Sequence, residues 1–424
     1  MTGYKRVRRA EGPVDAVVTV PGSKSIANRV LVCAALAEGT SGLSNLPDGD
    51  DTLAMLACLR ELGLDARLEG DRASITGVGT DWSPGAHTLH AGLAGTTSRF
   101  VTALAALGAA PITIDGHPPL RQRPFGPLHE SLRQLGVRVS PGERFGNLPT
   151  AIEGPPTGGS VSIRGDVSSQ YVSALMLIGP YLPGGLDLTL TSPLISRPYV
   201  ELTASTMAWF GVHQVEVADG SVRIAASHYE PATIVVEPDA SSASYPLAIA
   251  ALRGGSVTIP GLGVGALQGD ARFADVLGSM GCRVAWTDDA VNVTGDGRLD
   301  GIDIDMADVS DLVPTLAVVA AFADSPTRIT GVGFIREKES DRLGDLTQEL
   351  RGAGVDIDET DDGLEIRPST GRVHGARLAT HHDHRLAMAF GVLGSMIADI
   401  DVENPDVVSK SWPAFWTMLD DVLA

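Results

Sequence analysis

Apolar residues recur at helical spacing from Ile26 to Leu36, stopping before Gly39, and again from Thr52 to Leu62, stopping before Gly63. Alternating segments follow the later second helices: VRVS after Gly136, VHQVEV after Gly211, CRVAW after Gly281 and VDID after Gly354, the pattern of half-buried strands. The whole arrangement repeats. Six times a short polar or Gly-rich loop gives way to an Ala-rich apolar run, and the expected first-turn residues Ser25, Thr96, Ser168, Ser241, Ser310 and Asp383 are 71, 72, 73, 69 and 73 residues apart. The glycines that end the second helices, Gly63, Gly136, Gly211, Gly281 and Gly354, keep the same beat at 73, 75, 70 and 73. The chain is therefore an internal repeat of a βαβαββ-sized unit. Helix N-termini carry unpaired N–H groups and the positive end of the macrodipole, so six of them pointing one way would make an anion site.

The sixth unit is incomplete, because its second helix, Pro413 to Leu423, ends with the chain. Tyr4 to Val20 is strand-like and has no unit of its own, so it is expected to complete the sixth. The chain would then cross between domains twice, near Pro21 and near Pro238. The predicted domains are residues 22–237, holding units one to three, and residues 1–21 with 238–424, holding units four to six. Two crossings make a hinge next to Lys24, which predicts domain closure on binding.

Composition narrows the class. The chain has 424 residues, 43% of them hydrophobic and 49 of them glycine, enough for two globular domains. No apolar stretch approaches the roughly 18 residues of a membrane helix, and Lys5, Arg6, Arg8 and Arg9 precede no signal-peptide core, so a cytoplasmic protein without membrane partners is expected. Cys33, Cys58 and Cys282 lie in apolar contexts without metal spacing and read as buried thiols. The net charge of −20 opposes nucleic-acid binding. Against that acidity the basic clusters stand out: Lys24 and Arg29 in PGSKSIANR, Arg99 in AGLAGTTSRF, Arg121 and Arg123 in PLRQRPFG, Arg336, Lys338 and Arg342 in IREKESDR, Arg385 in HHDHR and Lys410 in SKSWP. Most fall beside an expected helix start.

Those motifs, with DVSSQYVSAL (Asp166 to Leu175), SRPY (Ser196 to Tyr199), DASSASY (Asp239 to Tyr245), DVSDL (Asp308 to Leu312) and DHRLAMA (Asp383 to Ala389), together resemble the EPSP synthase (3-phosphoshikimate 1-carboxyvinyltransferase) family over nearly the whole chain and in order. The resemblance implies an α/β (α+β) fold of two domains, each of three βαβαββ units about a pseudo-threefold axis, an inside-out α/β barrel type with the active site in the cleft where helix N-termini converge. It implies transfer of the enolpyruvyl group of phosphoenolpyruvate to the 5-hydroxyl of shikimate 3-phosphate, with release of phosphate and without metal or organic cofactor. By similarity Lys24, Gly95, Arg123, Arg342, Arg385 and Lys410 would hold phosphoenolpyruvate. Ser25, Arg29, Ser168, Ser169, Ser196, Tyr199 and Lys338 would hold shikimate 3-phosphate, with Asp311 beside it, and Gln170 would touch both. Asp311 is assigned as base toward the hydroxyl, and Glu339 or Lys24 as acid at the methylene carbon. Two phosphate-bearing anions in one site require several cations, and Arg offers a fork that fits phosphate and carboxylate.

Gly95 matches the family, in which a side chain there obstructs the herbicide glyphosate, so glyphosate sensitivity is expected. The chain departs from the pattern at Leu93, where many members have Asn, at Phe100, where they have Pro, and at Phe334, near which they have Asn or His. Pro246 falls early in the fourth unit's first helix, where only the first turn tolerates it. His381, His382 and His384 lack a fourth ligand group at helical spacing, so no metal is expected. GLGVG (Gly261 to Gly265) lacks dinucleotide-loop spacing, and PGSKS lacks the upstream glycine of a P-loop. The alternatives are the sister enolpyruvyltransferase acting on UDP-N-acetylglucosamine, whose loop carries a reactive Cys absent from His117 to Leu128, and a non-catalytic phosphoanion-binding protein. A monomer is expected.

Overall fold

The computed structural model describes residues 3–82 and 85–424, which divide into two compact units, Gly22–Val236 and Met1–Pro21 with Glu237–Ala424. The Gly22–Val236 unit contains helices α1 (Lys24–Leu36), α2 (Asp50–Glu61), α3 (Gly95–Ala105), α4 (Pro118–Arg121), α5 (Gly126–Gln134), α6 (Ser169–Ile178) and α7 (Arg197–Trp209). In α1 every residue from Ile26 to Leu36 is buried, and α3 and α6 are nearly as enclosed. A helix apolar on all faces belongs inside, and these three pack on one another with the sheets outside them.

Each of the three sheets in this unit has four strands. The second runs His87–His90, Ile112–Asp115, Thr150–Glu153, Arg138–Pro141, with the first pair parallel (Thr88 opposite Thr113) and the others antiparallel. The parallel pair is joined through α3, as a βαβ crossover requires. The same order recurs in Ser160–Ile163, Leu186–Leu190, Ser221–Ile224, Val215–Val217, and in Thr233–Val235, Gly39–Ser44, Arg72–Gly77, Asp65–Glu69.

The other unit contains α8 (Ala240–Arg253), α9 (Phe273–Ser279), α10 (Val313–Ala320), α11 (Gly344–Gly352), α12 (His384–Met396) and α13 (Phe415–Val422). Its sheets are Val14–Val17, Gly255–Pro260, Ala290–Gly295, Arg283–Trp286; Asp303–Asp305, Thr327–Thr330, Leu364–Arg367, Asp356–Glu359; and the three-stranded Arg377–Leu378, Asp401–Glu403, Tyr4–Arg6. The expected glycine stops hold in both units. Gly63, Gly136, Gly211, Gly281 and Gly354 follow α2, α5, α7, α9 and α11 with φ of +89°, +85°, +87°, +114° and +90°, the left-handed exit that only glycine takes without strain.

Three expectations need correction. The N-terminal segment does not serve the sixth unit alone: Tyr4–Arg6 pairs with Asp401–Glu403 of that unit, but Val14–Val17 lies parallel to Gly255–Pro260 of the fourth. The reason is chain length. Asp239 caps α8 almost immediately after Glu237, leaving no residues for a first strand, and Thr233–Val235 is already paired with Gly39–Ser44 of the first unit. Secondly, the fifth unit's first helix opens as a 3-10 turn, Ala307–Leu312, with a kink at Val309, before α10 begins. Thirdly, Pro246 sits beyond the first turn of α8, which continues past it to Arg253, forgoing the backbone bond that Pro246 cannot donate.

Candidate active site

In the Gly22–Val236 unit the first turns of α1, α3 and α6 are tied together. Thr97 Oγ1 lies 3.0 Å from Asn28 Oδ1 and 2.9 Å from the Asp51 carbonyl, and Arg99 Nη1 donates to Gln170 Oε1 at 2.7 Å. The three N-termini therefore lie at one end of the unit, where the positive ends of their dipoles favour anions. Lys24 begins α1, and its Nζ is 3.0 Å from Oδ2 of buried Asp51 in the first turn of α2. Ser168 caps α6 by accepting from the Gln170 N–H at 3.3 Å, and Ser169 is buried beside it. Ser196 starts α7 in the left-handed region at φ 52°, an uncommon conformation for a serine.

Gly95, at the start of α3, lies under two guanidinium groups. A Cβ there would sit 2.5 Å from Arg123 Nη1 and 3.0 Å from Arg99 Nη1. Arg99 is further held over the rings of Phe125 and Tyr171, each 5.3 Å away. Arg29 is a fully buried cation. Its Nε donates to Thr203 Oγ1 at 2.8 Å, Nη1 to the Ser25 carbonyl at 2.7 Å, and Nη2 to Ser173 Oγ at 3.1 Å and the Tyr199 carbonyl at 3.0 Å, with the Phe100 ring 5.3 Å from the guanidinium carbon. Burial among neutral acceptors lowers its pKa to about 10.

In the other unit one arginine ties three chain segments together. Arg342, with a side chain 1% exposed, donates from Nη1 to Asp311 Oδ1 at 2.8 Å, from Nη2 to Glu339 Oε2 at 2.7 Å and from Nε to Asp383 Oδ2 at 2.6 Å. Asp383 also caps α12, accepting from the Arg385 N–H at 2.9 Å. Arg385 Nη2 reaches the second oxygen of Asp311 at 2.7 Å, and Lys410 Nζ reaches Glu339 Oε1 at 2.8 Å. Burial works to raise the Asp311 pKa, but Arg385, Lys338 and Arg342 hold it well below the usual carboxylate range. Burial likewise works against the Arg342 charge, and Asp383, Glu339 and Asp311 more than reverse this. Lys338 Nζ stands 5.6 Å from the Phe334 ring centroid.

The structure thus gathers Lys24, Ser25, Arg29, Gly95, Arg123, Ser168, Ser169, Gln170, Ser196 and Tyr199 around the helix starts of one unit, and Asp311, Lys338, Glu339, Arg342, Arg385 and Lys410 in one cluster of the other. Tyr199 contributes its carbonyl to Arg29. The sequence reading left out Asp51, the partner of Lys24, although DGDD (Asp48 to Asp51) opens a helix. It named Arg99 and Asp383 without placing them in the site, and it missed Asp270, whose carboxylate meets Ser241. His381 turns to Glu349 and Asp345, at 2.9 and 3.5 Å, and no cluster of His, Cys, Asp and Glu among the described residues has metal-site geometry. No described helix is long and apolar enough to cross a membrane.

The family model for EPSP synthase (3-phosphoshikimate 1-carboxyvinyltransferase) matches residues 8–419. The chain belongs to the EPSP synthase family. A curated 3-phosphoshikimate 1-carboxyvinyltransferase from Nostoc punctiforme is 40% identical over 415 residues, covering 97% of each chain. The one from Methanosphaerula palustris is 41% identical over 412 residues, 96% of this chain and 97% of its own. An EPSP synthase structure from Acinetobacter baumannii superposes with a TM-score of 0.83 at 24% identity, covering 100% of this chain and 98% of that one. The enolpyruvyl transferase NikO from Streptomyces tendae shares the fold at a TM-score of 0.79 and 17% identity, over 100% and 98% of the two chains. The mixed α/β architecture is thus that of EPSP synthase.

Proposed function

We propose that the chain transfers the enolpyruvyl group of phosphoenolpyruvate to the 5-hydroxyl of shikimate 3-phosphate. The observation that carries the mechanism is that Asp311 and Glu339 are bonded to Arg342, Arg385 and Lys410, the cations assigned to phosphoenolpyruvate. An anion that draws those cations to itself weakens their hold on both carboxylates, and the lowered pKa of Asp311 then rises toward the range useful for proton transfer. Binding and catalysis are coupled through the same guanidinium groups.

In the addition step the hydroxyl oxygen bonds to C2 of phosphoenolpyruvate as Asp311 takes its proton, and Glu339 or Lys24 delivers a proton to the methylene carbon. The product is a tetrahedral intermediate. A methyl proton then leaves, the C–O bond to phosphate breaks, and the enol ether and inorganic phosphate remain. Addition and elimination make and break C–O bonds with proton transfers and no change of oxidation state, so no cofactor is assigned. Lys24, Gly95, Arg123, Gln170, Arg342, Arg385 and Lys410 hold phosphoenolpyruvate, while Ser25, Arg29, Ser168, Ser169, Gln170, Ser196, Tyr199, Asp311 and Lys338 hold shikimate 3-phosphate. Arg29 acts on its ligand mainly through Ser25 and the helix starts, since four of its five N–H donors are bonded to protein acceptors.

The same reading makes the protein a monomeric cytoplasmic enzyme and a glyphosate target, because Gly95 puts no side chain at the start of α3 beneath Arg123 and Arg99. A millimolar inhibition constant for glyphosate would contradict the last point. The test of the reaction is phosphate release from phosphoenolpyruvate in metal-free buffer, with shikimate 3-phosphate and UDP-N-acetylglucosamine supplied separately. Release is expected only with shikimate 3-phosphate. Release only with the nucleotide sugar would move the chain to the sister reaction, and silence with both would favour the anion-binding scaffold.

A further inference from the structure

Arg385 has a second attachment besides Asp311. Its Nη2 lies 3.5 Å from Ser241 Oγ in the first turn of α8, and that hydroxyl donates to Asp270 Oδ2. Asp270 belongs to the 3-10 turn Gly269–Arg272, which packs on α8, on α9 and on the Ala307–Leu312 turn carrying Asp311. It is 3% exposed, so its carboxylate is enclosed with the cluster rather than solvated. A relay therefore runs from Asp270 through Ser241 to Arg385 and on to Asp311.

We propose that Asp270 is a positioning residue for Arg385, orienting the guanidinium through the Ser241 hydroxyl and setting by its own charge how strongly the cluster attracts an anion. This rests on the reading of Arg385 as a phosphoenolpyruvate contact. The groups that face Asp270 are Asp311 from the Ala307–Leu312 turn, Arg385 from α12, Ser241 from α8 and Asp239 at the cap of α8. Asp308 of the same turn as Asp311 is half-buried, Arg272 on Asp270's own turn is exposed, and Asp275 of α9 accepts from Trp286 Nε1 at the surface. Burial first, and then repulsion from Asp311, push the Asp270 carboxyl up to about 6, against the opposing pull of Arg385 and Ser241. Below that value Arg385 faces one carboxylate, and above it two. Anion affinity accordingly falls as the pH rises through this window.

Sulfate, a dianion throughout the range from about pH 5 to about pH 8, is the probe, titrated calorimetrically into the full chain and into D270N and S241A. In the wild type the affinity is expected to fall about tenfold across that range beyond the change shown by D270N, which keeps the hydrogen bond but cannot ionise. S241A is expected to retain the pH dependence and to bind more weakly at every pH, because the charge remains and the tether is lost. Superposable profiles for D270N and wild type, or unaltered affinity in S241A, would overturn the proposal. A folding defect alone would lower the bound fraction without removing the pH dependence. Since sulfate binding needs no turnover, absence of enolpyruvyl transfer would sink the assigned reaction and leave this comparison decisive for Asp270.

Discussion

Arg342 Nη1 meets Asp311 Oδ1 at 2.8 Å, so the carboxylate assigned as base and a cation assigned to phosphoenolpyruvate are directly bonded to one another. The arginine's other donors hold Glu339 and Asp383. Replacing Arg342 by Ala leaves three carboxylates in a buried site without their shared cation, which costs about 3–5 kcal/mol of stability, measurable by urea unfolding. Lysine keeps the charge but not the fork. R342K is expected to recover most of that stability while kcat/KM for phosphoenolpyruvate stays at least about a hundredfold down. Wild-type kcat/KM in R342K would show that the fork does not matter.

Asp311→Asn removes the base and also one competitor for Arg342 and Arg385. The expected result is a split: kcat falls by about 10²- to 10⁴-fold while KM for phosphoenolpyruvate stays level or drops. Steady-state kinetics decides it. A rise in KM with kcat intact would make Asp311 a binding residue instead.

A methyl group at Gly95 would press on the end of the Arg123 side chain, 2.5 Å from the Cβ position. That end is flexible, so Gly95→Ala should unfold within a few degrees of wild type. The displaced guanidinium is expected to raise KM for phosphoenolpyruvate by about tenfold to a hundredfold. An unchanged KM would mean that Arg123 does not hold this substrate.

His129 is fully buried against Phe125 and Phe145, with neither ring nitrogen hydrogen bonded to a described residue. Burial first, and then the Arg133 charge, lower its pKa from 6.5 to about 4. The unfolded chain takes up this proton near 6.5 and the folded chain only near 4, so the stabilising difference is complete above 6.5 and is lost as pH falls through that interval. The difference in unfolding free energy between wild type and H129F is expected to shift by up to about 3 kcal/mol between neutral pH and pH 4. Parallel stability profiles for the two proteins would refute this account of His129.

The Ala-rich runs and the positive-φ glycines were legible because they are local. A helix apolar on every face must be enclosed, and Gly63 or Gly354 can leave a helix left-handed where other residues are strained. The same regularity gave the six-unit repeat, and with the PGSKS, RQRP and KESDR motifs it was enough to point to the family and to most of the candidate site. Strand partners were not legible. Val14–Val17 and Thr233–Val235 are each separated by a few residues from a helix whose unit they do not join, and only the free parallel edges of Gly255–Pro260 and Gly39–Ser44 decide where they pair. The ion pairs were equally beyond sequence reading. Arg342 draws Asp311 and Asp383 from 31 and 41 residues away, and Asp270 reaches Arg385 only through a serine on a third segment. Local sequence determines helix, turn and cap because those free energies are set within a few residues. Which charge neutralises which is set by burial and distance after the chain has folded, and the tertiary structure alone decides it.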